Sequence, residues 1–487
     1  MPAVALTDTN GLYAAVPFYQ AARAAGVKPI LGVQLDAAFQ VSEDDFRNPK
    51  SALRNSMSLP LVLLAADAGG YSNLCRLVTR RQLPAHQALR VNGADAAEQD
   101  DVAASTQEDG RPVTLAELAE HSQGVMALAP VDHIAEKHAG AASLALAALK
   151  EIFGGRLYLE VRLLSPGDRR TLREAERLGR ELGVPLAATN NVHFLRPEEH
   201  LHHRVVNAIR TGGLLTTVAP PDITSAEAWF KPAAEMERLF ADYPQAARAT
   251  LEIAEQCDWQ LELGRTIFPE FPVPEGESPF SYLSKLSFDG ARARYRPLRP
   301  EVLERLAHEL AVIEKLQLAP YFLLVWDIVE EARRRGIPAV ARGSAAGSIV
   351  TYCLGISRVC PLRWGLYFER FLNEQRGDCP DIDIDICGAR RDELLDYVSK
   401  RWGAEYVAMI GSFITMHARL AIREVAKVFG VPPGEVNRFT RRLPHRPVRE
   451  ILEAIRALPE CRSLPVNDEP WKTPERYPRH AHHGEPR

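Results

Sequence analysis

Short β-branched runs alternate with amphipathic stretches from the first residues onward. Val4–Leu6 reads as a short buried strand, Thr7–Gly11 as a turn, Ala14–Ala25 as a helix and Pro29–Val33 as a second strand. Strand, helix and strand within about 35 residues predict a βαβ unit and a parallel α/β domain. A start in mid-strand makes the N-terminus read as clipped. The pattern returns with a strand at Arg156–Val161, a helix at Arg169–Leu182 and a strand at Pro185–Thr189, so residues 1–205 read as one domain. Residues 85–111 turn to Ala, Asp, Glu, Gln and Gly without an apolar period, which predicts a solvated loop. Helices and the stiff proline-rich run Phe268–Gly276 make 206–299 a connector, and a second α/β region follows over 300–430. Residues 431–462 read as helical, whereas 463–487 are rich in Pro, His and Arg and read as an aberrant or disordered tail.

The most informative pattern is Pro380-Asp381-Ile382-Asp383-Ile384-Asp385-Ile386, carboxylates alternating with isoleucines. On a strand, side chains two apart share a face, so the three aspartates project one way and the isoleucines face a core. Neighbouring carboxylates repel, and cations or solvent relieve them. A plain solvated face is one reading and a divalent-metal strand the other. An EF-hand is excluded by Ile386 at the position that needs glycine.

Upstream, Arg342-Gly343-Ser344-Ala345-Ala346-Gly347-Ser348 precedes an apolar helical run, Ile349–Ile356. A serine cap after glycine presents backbone N–H groups that favour phosphate, and Arg342 adds a charged donor. The alternative is an ordinary N-cap, and the absence of Gly-Lys-Ser/Thr excludes a Walker A loop. Paired carboxylates beside a phosphate cradle are half of a two-metal nucleotidyl-transfer site. Behind them, residues 390–403 read as a helix with Leu394, Leu395, Val398 and Trp402 as its buried stripe and Gly403 as its end. Arg419, Arg423 and Lys427 fall at i, i+4 and i+8 on the next helix, a basic face that is either solvated or tracks a nucleic-acid backbone.

Composition constrains function only weakly. The 487 residues are 46% apolar and 25% charged with net charge −4, ordinary values for a water-soluble chain of several domains. Seven scattered cysteines without a C-x-x-C pair predict a reducing cytoplasm and exclude a zinc ribbon. No segment approaches a membrane span.

Four motifs occur in order: Tyr321–Val329, Arg342–Ala346, Phe368–Asn373 and Pro380–Asp385. Together they resemble the palm of bacterial C-family DNA polymerases, the DNA polymerase III α subunit and its error-prone relatives, and the likeness continues through Ala418–Val425. The resemblance implies an α/β multidomain chain: a PHP-like (polymerase and histidinol phosphatase) α/β barrel, a polymerase-β-like nucleotidyltransferase palm and a partial helical thumb. It implies that Asp383 and Asp385 hold catalytic Mg2+, that Gly343 and Ser344 contact the incoming triphosphate, and that primer-template DNA and dNTPs are the partners. A sliding clamp and other replisome or mutasome subunits are implied for a full-length protein. The family's third catalytic aspartate lies beyond residue 487, so the chain reads as truncated at both ends and inactive alone. The resemblance also puts Thr9, Gln34 and Asn191 where an active PHP domain carries metal ligands and leaves only His193, implying a structural domain. The rival functions are a PHP-type metal phosphoesterase and a non-catalytic DNA-binding fragment. His200, His202 and His203 look metal-like but read as a surface helix.

Overall fold

The computed structural model describes residues 2–40, 56–82, 110–132, 139–218, 223–264, 270–373, 380–403, 406–407, 415–441 and 443. The solvated loop expected at 85–111 and the tail at 463–487 lie outside these residues, apart from 110 and 111. The chain divides into two compact units, residues 1–261 with 413–487, and residues 262–412.

The first unit is built on a seven-stranded sheet. Strand β1 (Ala3–Thr9) leads through helix α1 (Ala15–Ala24) to β2 (Lys28–Gln40), and β1 pairs parallel with β2, which is the expected βαβ unit. β1 is longer than predicted and half-buried at the sheet edge. Thr7–Thr9 continue the strand, and Asn10, at φ 61°, makes the turn. Strand β3 (Ser56–Ala65) runs antiparallel to β2 and leads to helix α2 (Ala68–Gln82). Then come β4 (Val113–Thr114), α3 (Leu115–Glu120), β5 (Val125–Pro130), α4 (Ala139–Phe153), β6 (Leu157–Val161), α5 (Asp168–Leu182) and β7 (Leu186–Ala188). The sheet order is β1-β2-β3-β5-β6-β7, with β4 added beside β2. β3 is antiparallel to both neighbours, so the sheet is mixed rather than all-parallel. It curls into a half-barrel.

Period-two alternation gives this sheet two buried faces. Leu59, Leu61, Leu63 and Ala65 of β3 enter the larger core with Val33, Leu35 and Phe39, while Val62 and Leu64 enter the other with Ile30 and Met126. Helices α6 (His200–Thr211), α7 (Ala233–Leu239) and α8 (Pro244–Gln256) follow, and Ala249 and Ile253 of α8 cover the second face.

A capping box starts α3. Thr114 Oγ1 accepts from Glu117 N at 3.2 Å, and Glu117 Oε2 accepts from Thr114 N at 2.9 Å. The Arg111 guanidinium, doubly bonded to Glu117, holds that carboxyl down to about 2. A depressed carboxylate pKa adds stability that is present above its unfolded value, near 4.5, and lost as pH falls towards 2. Glu117→Gln is expected to cost about 1–2 kcal/mol in urea unfolding at pH 7 and almost nothing at pH 2.

The second unit contains α9 (Pro279–Arg294), α10 (Pro300–Lys315), α11 (Ala319–Arg334), β8 (Ala339–Ala341), α12 (Ile349–Cys353), β9 (Ile384–Ile386) and α13 (Arg391–Trp402). Leu283, Leu306, Phe322, Ile349 and Phe368 centre its core. The expected stripe of α13 is corrected: Leu394 is buried, Leu395 is exposed, and Tyr397 packs beside Leu394 instead. Trp402 lies 5.8 Å from the Phe271 ring, and Gly403 takes φ 83° at the helix end. Two further helices, α14 (Ala418–Val428) and α15 (Pro433–Thr440), belong to the first unit, where Val428 packs on Val205 and Ala208 of α6.

Candidate active site

The acidic segment and the glycine turn are joined by one short antiparallel pairing. β8 pairs with β9 in the register Ala339↔Ile386, Val340↔Asp385 and Ala341↔Ile384. Each chain then leaves the pair beside the other, and Arg342 N donates to Asp383 O at 3.0 Å. The strand is shorter than predicted, since Asp381 and Asp383 precede β9. The alternation nonetheless holds: Asp381, Asp383 and Asp385 are exposed, and Ile382, Ile384 and Ile386 are half-buried. Tyr321 Oη accepts from Ile382 N at 3.0 Å and ties this segment to α11.

Arg342, Gly343 and Ser344 are all exposed. Arg342 Nε lies 2.9 Å from Asp385 Oδ1. Gly343 adopts φ 73°, a left-handed conformation that glycine takes without strain, and a Cβ there would lie 3.9 Å from Asp383 Oδ2. The structure therefore brings Arg342, Gly343, Asp383 and Asp385 together. Hard oxygen donors on one exposed face suit a divalent cation, and the Arg342 guanidinium on Asp385 stands as a cation in such a place. Among the described residues no group of three or more His, Cys, Asp or Glu side chains is placed to hold a metal ion.

The helix N-terminus expected to receive phosphate is already filled. Ser348 caps α12, its Oγ accepting from Thr351 N at 3.2 Å. Glu309, fully buried on α10, accepts from Ser348 Oγ at 2.7 Å, Ile349 N at 2.8 Å and Val350 N at 3.3 Å. The chain's own carboxylate occupies the anion position, whereas the 342–344 segment is exposed. Burial pushes the Glu309 carboxyl up, against the opposing pull of Arg305 and Ser348. Sequence reasoning missed Glu309. The available signal was its place on the stripe Val302, Leu306, Leu310 and Ile313, where a carboxylate needs a buried partner.

On α14, Arg419 donates through Nε to Leu443 O at 2.9 Å, Lys427 pairs with Glu424 at 2.6 Å, and Arg423 is exposed. In the first unit, Thr9, the last residue of β1, is the register partner of Gln34 in the middle of β2. His193 follows β7, and its ring lies 5.0 Å from that of His203. His193 is exposed, yet the chain around its ring lowers its pKa to about 4, chiefly by desolvation and aided by His203 and Arg162. His203 is lowered as well, chiefly by burial. His200 and His203 lie on the expected helix, and both have protein partners: His200 Nε2 sits 3.0 Å from Thr224 O, and His203 Nε2 is 2.9 Å from Asn207 Nδ2 on the same helix. Asn190 donates to Glu227 O at 3.0 Å and Trp229 O at 2.6 Å, a tie between two loops.

One unit is a mixed sheet curled into a half-barrel with its helices, and the other sets an exposed acidic segment against an Arg-Gly-Ser turn. Residues 281–476 match the bacterial DNA polymerase III alpha NTPase domain, and residues 1–162 match the PHP domain. The chain is 35% identical over 459 residues to the DNA polymerase III subunit alpha of Bacillus subtilis, covering 94% of this chain and 38% of that protein. It is 36% identical over 481 residues to the error-prone DNA polymerase of Symbiobacterium thermophilum, covering 97% of this chain and 42% of that one. Over most of its length the chain is thus similar to DNA polymerase III α subunits and to error-prone DNA polymerases, at about 35% identity. It spans about two fifths of the length of these curated relatives. Among the described residues no helix is long and apolar enough to cross a membrane.

Proposed function

We propose that this chain carries the nucleotide site of a DNA-directed DNA polymerase, which transfers a nucleotide from a dNTP to a primer 3′-hydroxyl on a DNA template in the cytoplasm. The observation that carries the proposal is the apposition of Arg342 and Gly343 with Asp383 and Asp385 across the β8–β9 pair. Asp383 and Asp385 would hold Mg2+, which when bound neutralises phosphate charge and activates the attacking hydroxyl. Arg342, Gly343 and Ser344 receive the triphosphate: the guanidinium contributes charge, and the glycine lets the backbone come close. On α14, Arg423 meets DNA phosphates directly, while Arg419 and Lys427 do so after exchanging their present partners.

The Arg342–Asp385 pair gives a direct test. Both side chains are more than half exposed, so the pair is weak, and cation and guanidinium compete for one carboxylate. Arg342→Ala is expected to raise Mn2+ affinity about two- to fivefold in an EPR titration and to weaken dATP binding about tenfold. Mn2+ affinity that is unaffected by Asp385→Asn would refute the metal assignment.

A further inference from the structure

The triphosphate turn has an exposed half and a buried half, and the buried half is held by two residues from a distant helix. Arg305 and Glu309 lie one turn apart on α10, and Arg305 Nε donates to Glu309 Oε1 at 2.7 Å. Arg305 Nη2 also donates to Gly347 O at 3.1 Å and Leu366 O at 3.2 Å. Glu309 Oε2 gathers Ser348 Oγ and the amides of Ile349 and Val350. One pair therefore grips the last residue of the Gly343–Gly347 turn, the cap and the first two helical amides. Thr351 Oγ1 reaches back to Ala345 O at 2.7 Å, which ties the middle of the turn to the same anchor. At the other end, the turn is joined to Asp383 through Arg342 N.

We infer that Arg305 and Glu309 are positioning residues for nucleotide binding: they seat the Arg342–Ser348 turn from below so that its exposed N-terminal half holds one geometry. The inference rests on the reading that Arg342, Gly343 and Ser344 meet the triphosphate. A buried ion pair stabilises no better than apolar residues of similar volume. Its distinctive effect here is directional, because three donors at the cap converge on Glu309 and Gly347 O accepts from Arg305, and a leucine would hold none of them. The pair touches no reacting atom, so it acts only through the turn.

The test compares the wild-type chain with Glu309→Gln, Arg305→Lys and Arg342→Ala, all at a temperature where each variant is folded. Amide hydrogen exchange over 343–350 and binding of dATP with Mg2+ are measured together. In Glu309→Gln, exchange over 343–350 is expected to speed up about tenfold and the dATP dissociation constant to rise about tenfold. Arg305→Lys, milder because its side chain is partly solvated, gives the same two changes at about threefold and serves if the glutamine variant does not fold. Arg342→Ala weakens dATP binding with exchange over 345–350 unchanged. A merely structural pair would lower the melting midpoint and leave exchange over 343–350 and dATP affinity as in the wild type; that result overturns the inference. A wild-type chain that does not bind dATP overturns the triphosphate reading itself, and the inference with it.

Discussion

In Asp383→Asn, whatever magnesium-dependent primer extension the chain supports is expected to fall by about three orders of magnitude, or about 4 kcal/mol of transition-state stabilisation. Asparagine keeps the size of the side chain and the backbone bond from Arg342 N to Asp383 O, so the turn and strand stay together while one negative charge is lost. Asp385→Asn is expected to be equally severe and to free Arg342 as well. Asp381→Asn should cost less than tenfold, because Asp381 lies before the pairing and makes no contact with the Arg342 turn among those described. Primer-extension rates, with Mn2+ affinity as the companion measurement, check all three. Equal, measurable rates for wild type and Asp383→Asn would remove Asp383 from the chemistry; where the wild-type chain gives no extension, Mn2+ affinity decides.

The second large effect is on stability. Gly290→Ala places a methyl group 2.1 Å from Cys353 O and 2.7 Å from Cys353 C, backbone atoms that cannot swing aside. Helix α9 packs against α12 at this point, so the helices must separate. Alanine's better helix propensity returns about 1 kcal/mol, and overpacking of this kind costs about 1–3 kcal/mol or more. A net loss of about 2 kcal/mol, the upper end of that difference, is expected in urea unfolding because the clash is with backbone. Because α12 carries Ser348 and the amides bound by Glu309, dATP affinity should fall with it. Gly388→Ala is the control: its added Cβ meets nothing within 4 Å, and a change within about 0.5 kcal/mol is expected. Equal stabilities for the two variants would mean that α9 and α12 tolerate a wider spacing.

Much of the candidate site was legible along the chain. The Asp-Ile alternation announced an exposed acidic face, and it survives although β9 is only three residues long. Arg342 and Gly343 were legible because a charged residue before a flexible one is a local signature. Glu309 and Arg305 were not, since an i, i+4 pair on a helix reads as a surface ion pair until the partner segment is known. Leu395 was assigned to the buried stripe of α13 by spacing, yet the neighbouring α11 meets the helix along Leu394 and Tyr397.

The order of strand, helix and strand at β1–α1–β2 and β6–α5–β7, and the alternation of the acidic segment, were legible in the sequence alone, although β1 and β2 run longer and β9 shorter than the pattern predicts. Periodicity, capping and glycine conformations depend on neighbours a few residues away. Only the tertiary structure decided that β3 lies antiparallel between β2 and β5, and that the carboxylate of Glu309, not an external phosphate, fills the N-terminus of α12. Those outcomes depend on which distant groups meet. A strand edge or a helix N-terminus accepts whatever partner packing brings to it, and for Ile349 that partner lies 40 residues away.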